Sequence, residues 1–193
     1  MLNSMTNPSV VVAVGTDHHR FDRLVTWTDS WAAANPEVEV LIQRGTSIEP
    51  ETAASAELIP HLELCERFAR SLVVVSHGGP STIMDARQSG RNPIVVPRDP
   101  SLGEHVDDHQ MRFADHLARH DLAVVVSSRQ ELHRLLDEAM VDASAYAIEV
   151  TDEAIEGVVR FGRQLDHLLA TTTTLASPVV AIQDPSVDQE RSA

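Results

Sequence analysis

The chain has 193 residues, 42% of them hydrophobic, and a formal net charge of −14. That length holds one domain with a sizeable core, or one domain and a tail, in a composition typical of folded proteins. The charge argues against a nucleic-acid binder, which needs a basic footprint to displace counterions, and against direct electrostatic docking on an anionic membrane.

Residues 1–8 read as an N-terminal arm. Residues 10–14 form an apolar β-branched run closed by Gly15, the pattern of a buried strand. From 21 to 33, Phe21, Leu24, Val25, Trp31 and Ala32 recur near helical spacing, and Asn35-Pro36 ends the helix. A second strand over 38–42 leads into a polar loop over 43–47, and residues 49–56 show no clear pattern. Pro60 suits the first turn of a helix running to Arg70. A third strand over 72–75 runs into SHGGPSTIMD and a helix over about 80–88, stopped by Gly90. There follow a strand over 93–96, a charged loop over 98–107, a helix over about 108–119 and a strand over 122–126. Ser127 or Ser128 caps the next helix, which runs through Glu138. An amphipathic helix over about 151–169 carries Ile155, Val158, Val159, Leu165, Leu168 and Leu169. The tail over 171–193 reads as disordered.

Apolar strands alternating with helices predict a single Rossmann-like α/β domain over 9–170, an open parallel sheet with helices on both faces. Ligands of such sheets sit at the carboxyl ends of the strands, where Gly15-Thr16 and SHGGPSTIMD both fall. All fifteen basic residues are Arg. The absence of Lys excludes a Walker A loop, Schiff-base chemistry and protein-kinase chemistry. Cys65 is the single cysteine and suits a reducing cytoplasm. No apolar run approaches the ~20 residues of a membrane span, and the first residues lack the regions of a signal peptide. The expectation is a cytoplasmic protein.

Within SHGGPSTIMD, a strand, a glycine turn and a helix N-terminus make an anion site. Gly78 and Gly79 let the backbone approach a phosphate, Ser81 and Thr82 add hydroxyls, and His77 can donate a ring N–H. Asp85 lies about one helical turn on and can accept the two hydroxyls of a ribose. A plain strand-to-helix turn, with Ser81 or Thr82 as the cap and Asp85 on a solvated face, fits the same spacing.

SHGGPSTIMD, then PIVVPRD, then DDHQMRFADHL, together resemble the donor-binding half of GT-B glycosyltransferases of family 28. VAVGTDHHRFDRLV and VEVLIQRGTS resemble the opening strands of the same proteins. The likeness covers about residues 9–140. It is greatest to the short, split members, among them the soluble subunit of the dolichol-linked N-acetylglucosaminyltransferase and bacterial exopolysaccharide glycosyltransferase subunits. The resemblance implies that Gly15 and Thr16 border the diphosphate and that His77, Gly79, Ser81 and Thr82 hold the phosphates. It implies that Asp85 stands in for the Glu that binds the ribose, one methylene shorter, and that His109-Gln110 faces the donor sugar. The base is expected near 59–61.

Of His18 and His19, adjacent in one loop, at most one is expected to face a site. His105, Asp107, Asp108 and His109 resemble a ligand set, but a solvated loop is the simpler expectation and no metal is expected. His116, His120 and His133 read as surface residues and Cys65 as a small core residue. The absence of Gly-x-Ser-x-Gly disfavours a serine hydrolase.

The implied function is the donor-binding, catalytic subunit of a split glycosyltransferase. It transfers sugar from a UDP-sugar to a lipid-linked saccharide, without a cofactor. A membrane-anchored acceptor-binding subunit is the implied partner and would recruit the chain to the inner membrane face. The rivals are a non-catalytic nucleotide-sugar-binding regulatory module and a stand-alone glycosyltransferase that forms homodimers.

Overall fold

Six short strands make one all-parallel sheet in a computed structural model that describes residues 9–120 and 122–150. They are β1 (Val10–Ala13), β2 (Val40–Gln43), β3 (Ala54–Ala56), β4 (Val73–His77), β5 (Ile94–Val96) and β6 (Val124–Val125), in the order β3-β2-β1-β4-β5-β6. Four α-helices lie between strands, α1 (Asp22–Ala34), α2 (His61–Arg70), α3 (Pro80–Gln88) and α4 (His109–Arg119), and α5 (Arg129–Val141) follows β6; β2 passes to β3 without a helix. The strand order reverses beside β1, which pairs with β2 on one side and β4 on the other. The crevice for a ligand in such a sheet opens at that point.

Successive strand residues point to opposite faces, so a strand covered on both sides must be apolar throughout. Val10, Val12, Val40, Ile42, Val73, Val75, Ile94 and Val96 pack with α1 and α5. The alternate residues Val11, Ala13, Leu41 and Val74 pack with Leu64 and Phe68 of α2 and Ala86 of α3, and Val95 packs with α3 and α4. The expected doubly covered α/β architecture is therefore the observed one.

Polar ties fix the outer layers. The Trp31 indole N–H donates to Asp137 at 2.7 Å, and the His133 ring meets the Trp27 carbonyl at 2.8 Å, joining α1 to α5. His133 is thus an interhelical contact rather than the plain surface residue expected. Asp29 of α1 accepts the backbone N–H groups of Glu51, Thr52 and Ala53 at 2.8–2.9 Å and leads the chain into β3.

The patternless stretch before Ala56 is an edge strand of small, half-buried residues. Gln43, expected in a loop, closes β2 and is buried. β4 runs on to His77, so the motif begins inside the sheet, while β6 is shorter than expected and α5 longer. Ser128 is the cap of α5: its hydroxyl accepts the N–H of Glu131. The expected helix over 151–169, the arm over 1–8 and the tail over 171–193 lie outside the described residues.

Candidate functional site

The ends of β1, β2 and β4 open into a cavity of about 440 Å³, within the size range of small-molecule sites. Its walls are the Gly15-Thr16 turn, Gln43, the segment from Leu58 to His61, and the first turns of α3 with Leu64 of α2. Seven expected residues meet there: Gly15, Thr16, His77, Gly79, Ser81, Thr82 and Asp85. The segment expected near the base also lines it. His109 and Gln110 do not; they begin α4, beside the far side of the glycine turn.

α3 starts with Gly79 at the cap position and Pro80 in the first turn, and no side chain among the described residues caps it. Ser81 and Thr82 are therefore not caps, which removes the plain structural role their spacing allowed. Their N–H groups belong to the first helical turn, which leaves donors without intrahelical partners, and the helix dipole adds to the attraction for an anion. Proline has no N–H but has its φ already set for this place.

His77 sets the floor. Its ring is buried, with Nδ1 3.3 Å from the Ala13 carbonyl. A carbonyl only accepts, so in the neutral ring Nδ1 carries the proton and Nε2 keeps a lone pair. The donation to phosphate expected from sequence requires a second proton on Nε2. Burial, then the Arg98 charge, pushes the pKa of His77 down to about 4 from 6.5. Between those two values the unfolded chain binds more protons here than the folded one. The contribution is therefore intact above the unfolded pKa and is lost as pH falls through the window, in total about 3 kcal/mol. Melts between pH 7 and 4 are expected to show a shallower pH slope for His77→Gln than for the parent; equal slopes would mean the folded ring titrates normally.

The ring explains two glycines. A Cβ on Gly15 would lie 2.5 Å from His77 Cε1, and Gly15 also holds a positive φ of 84°. A Cβ on Gly79 would overlap Nε2 and lie 2.8 Å from Cε1. Gly78 has another reason: a Cβ there would meet Gln110 Cβ at 2.9 Å, so its bareness admits the N-terminus of α4. Gln110 Oε1 is buried there with no hydrogen-bond partner among the described residues.

Arg98 holds the loops behind this floor. It is fully buried; Nη1 donates to the carbonyls of His19 and Glu104, and Nη2 to that of Val14, all at 2.8–2.9 Å. The guanidinium sits 4.8 Å from the centre of the Phe21 ring. Nearby, Asp17 accepts both the N–H and Nδ1 of His19, at 2.7 and 2.6 Å; the exposed His18 ring lies against the His19 ring, 4.0 Å between centroids, and neither histidine lines the cavity. Burial tends to raise the Asp17 pKa, but the His19 hydrogen bonds and the Arg98 charge hold it below the usual value.

The ligand-like cluster in the charged loop does not converge. Asp107 lies between His105 at 3.2 Å and His109 at 2.8 Å, but Asp108 turns to Arg112 at 2.9 Å. His116 and His120 stack on one another on α4. Cys65, expected in the core, is only half-buried, with Sγ 3.6 Å from His61 Nε2. Asp85, whose plain alternative was a solvated face, pairs with the same His61 nitrogen at 3.1 Å. Sequence reasoning missed Gln43 and Arg98, and it named His61 only as part of the segment 59–61, without its pairing to Asp85. The one available signal was a polar Gln following an apolar strand.

The model of the glycosyltransferase family 28 C-terminal domain matches residues 9–161. A UDP-N-acetylglucosamine–N-acetylmuramyl-(pentapeptide) pyrophosphoryl-undecaprenol N-acetylglucosamine transferase of Azotobacter vinelandii is 30% identical over 131 residues, covering 65% of this chain and 33% of that protein. Among solved structures, the glycotransferase of kitacinnamycin aligns with a TM-score of 0.56 at 18% identity, over 87% of this chain and 42% of its own. MurG of Acinetobacter baumannii aligns with a TM-score of 0.51 at 16% identity, over 89% and 51%. At such identities the two structures show a shared fold. The chain spans about a third of the length of the curated relatives it matches. No helix among the described residues is long and apolar enough to cross a membrane.

Proposed function

This chain belongs to the glycosyltransferase family 28 C-terminal domain family, and we propose from that premise that it binds a UDP-sugar and donates the sugar to a lipid-linked saccharide. The observation that carries the reading is the cavity in which the first turn of α3, two hydroxyls and Asp85 converge. The diphosphate lies against the N–H groups of Ser81 and Thr82 and beside the Gly15-Thr16 turn. Asp85 accepts the ribose hydroxyls, and the segment from Leu58 to His61 encloses the base. His109 and Gln110, at the start of α4, face the sugar.

Transfer is a displacement at the anomeric carbon. An acceptor hydroxyl oxygen bonds to the anomeric carbon as the carbon's bond to the diphosphate oxygen breaks; the hydroxyl proton passes to a base on the acceptor half, and the leaving charge falls on the α3 N-terminus. The diphosphate also opposes the burial that keeps His77 neutral, so His77 takes up its second proton with the donor bound. The acceptor half is supplied by a separate, membrane-anchored subunit that recruits the chain to the inner membrane face. This arrangement rests on the resemblance to the split members.

Calorimetry with UDP and with UDP-sugars tests the donor site. Asp85→Ala is expected to weaken binding roughly ten- to a hundredfold, the worth of a lost hydrogen bond to a charged group, with little change in melting temperature. Parent-like affinity in that variant removes Asp85 from the ribose. Transfer to a lipid-linked acceptor is expected only with the partner added. Robust transfer by the purified chain alone overturns the split arrangement, and UDP-sugar binding without transfer in any combination favours the regulatory module.

A further inference from the structure

At the edge of the cavity, where His61 and Asp85 line it, Cys65 joins them to make three side chains of metal-binding type. His61 and Cys65 stand four residues apart on α2, one turn on the same face. Asp85 reaches them from α3. Their ligand atoms all lie within 4.8 Å of one another. We propose that His61, Cys65 and Asp85 form a site for a zinc-like divalent transition-metal ion, and that the metal and the nucleotide exclude each other by competing for Asp85. The competition rests on the proposed function; the metal site does not.

The distances suit the ion. Zinc bonds of ~2.3 Å to sulfur and ~2.0–2.1 Å to nitrogen or oxygen, at tetrahedral angles, set N···S at about 3.6 Å and N···O at about 3.3 Å. The protein holds His61 Nε2 3.6 Å from Cys65 Sγ and 3.1 Å from Asp85 Oδ1. Both pairs are within a few tenths of an ångström of those separations, and the third, Cys65 with Asp85, lies within 4.8 Å. The backbone is braced as well: Ser89 on the chain leaving α3 donates its hydroxyl to the Cys65 carbonyl at 3.3 Å.

The donor set selects the metal. Imidazole with thiolate favours zinc and its neighbours over magnesium and calcium, which take oxygen ligands. Three protein ligands leave a fourth position open, as in zinc sites that exchange a water. His61 and Asp85 both line the cavity, so that position is reached from the nucleotide's own space. With Asp85 on the metal, its carboxylate no longer accepts a ribose, and the base end of the cavity carries a cation. The sequence reading weighed ligands only in the loop over 105–109 and expected no metal; these three come from two helices that meet only in the fold.

Cobalt(II) titration of the full chain tests the site, since a bound thiolate gives a near-ultraviolet charge-transfer band and four-coordination gives intense visible bands. Both are expected, with zinc displacing cobalt. Cys65→Ala should abolish the charge-transfer band. Cys65→Ala and His61→Ala, checked by circular dichroism for an unchanged fold, should each weaken zinc binding at least tenfold, because even outer-shell losses cost ~10–100-fold. No thiolate band at saturating cobalt, or parent-like zinc affinity in both variants, overturns the metal site.

With free zinc fixed by a metal buffer, so that chelation by UDP is accounted for, saturating UDP should raise the apparent zinc Kd at least tenfold. If UDP binds by calorimetry and the zinc Kd does not move, the shared carboxylate is overturned. If UDP does not bind, the donor reading fails, and the cobalt bands still decide the metal site.

Discussion

Arg98→Ala is expected to lower the free energy of unfolding by about 3–5 kcal/mol, a large share of the ~5–15 kcal/mol that holds a domain together. The size follows from what the guanidinium does. Its two terminal nitrogens satisfy three carbonyls, those of Val14, His19 and Glu104, in the fully buried space behind the cavity. Alanine leaves those acceptors without their donor and leaves a void against Phe21. Lysine should not restore the loss, because one ammonium cannot span the fork. Urea unfolding of the three proteins measures this. A cost below about 1 kcal/mol for Arg98→Ala would mean that water replaces the guanidinium at all three carbonyls. Because Val14 precedes Gly15, the same variant should also lose UDP affinity.

Gly79→Ala is expected to abolish measurable UDP binding, a loss of at least a hundredfold, and to cost about 1–3 kcal/mol of stability, as overpacking does. The added methyl group overlaps the His77 ring, which is buried and anchored at the Ala13 carbonyl. Gly79 has an ordinary φ of −79°, so backbone strain is not the cause. The cause is space, and a second substitution can test it. His77→Ala in the Gly79→Ala background should return part of the lost stability, with a coupling of about 0.5–3 kcal/mol in a double-mutant cycle. Additive effects would show that the ring and the glycine are not in contact.

What the sequence made visible was the part written in neighbouring residues. The strand beginning at Val10 and the helix from Pro80 to Gln88 emerged as expected, because apolar runs and a Gly-Pro entry are local signals. The seven expected residues that line the cavity were visible for the same reason, since they belong to two short stretches, Gly15-Thr16 just after β1 and 77–85 where β4 passes into α3. β3 was not visible: three small, half-buried residues at a sheet edge carry no alternation. Arg98 in PRDPSLGEH reads as one more surface charge; its burial comes from carbonyls up to 84 residues away. His61 and Cys65 gain a partner only when α3 packs beside α2, and Cys65 therefore read as a core residue.

The three amides held by Asp29 have a consequence for how freely this surface can vary. The carboxylate reads only the main chain of Glu51, Thr52 and Ala53, and none of their side chains. The path into the edge strand is thus specified from α1, by one residue, whatever side chains the segment carries. Residues 51 and 52, both exposed, can drift in sequence without moving β3. The constraint on that whole approach is concentrated at position 29.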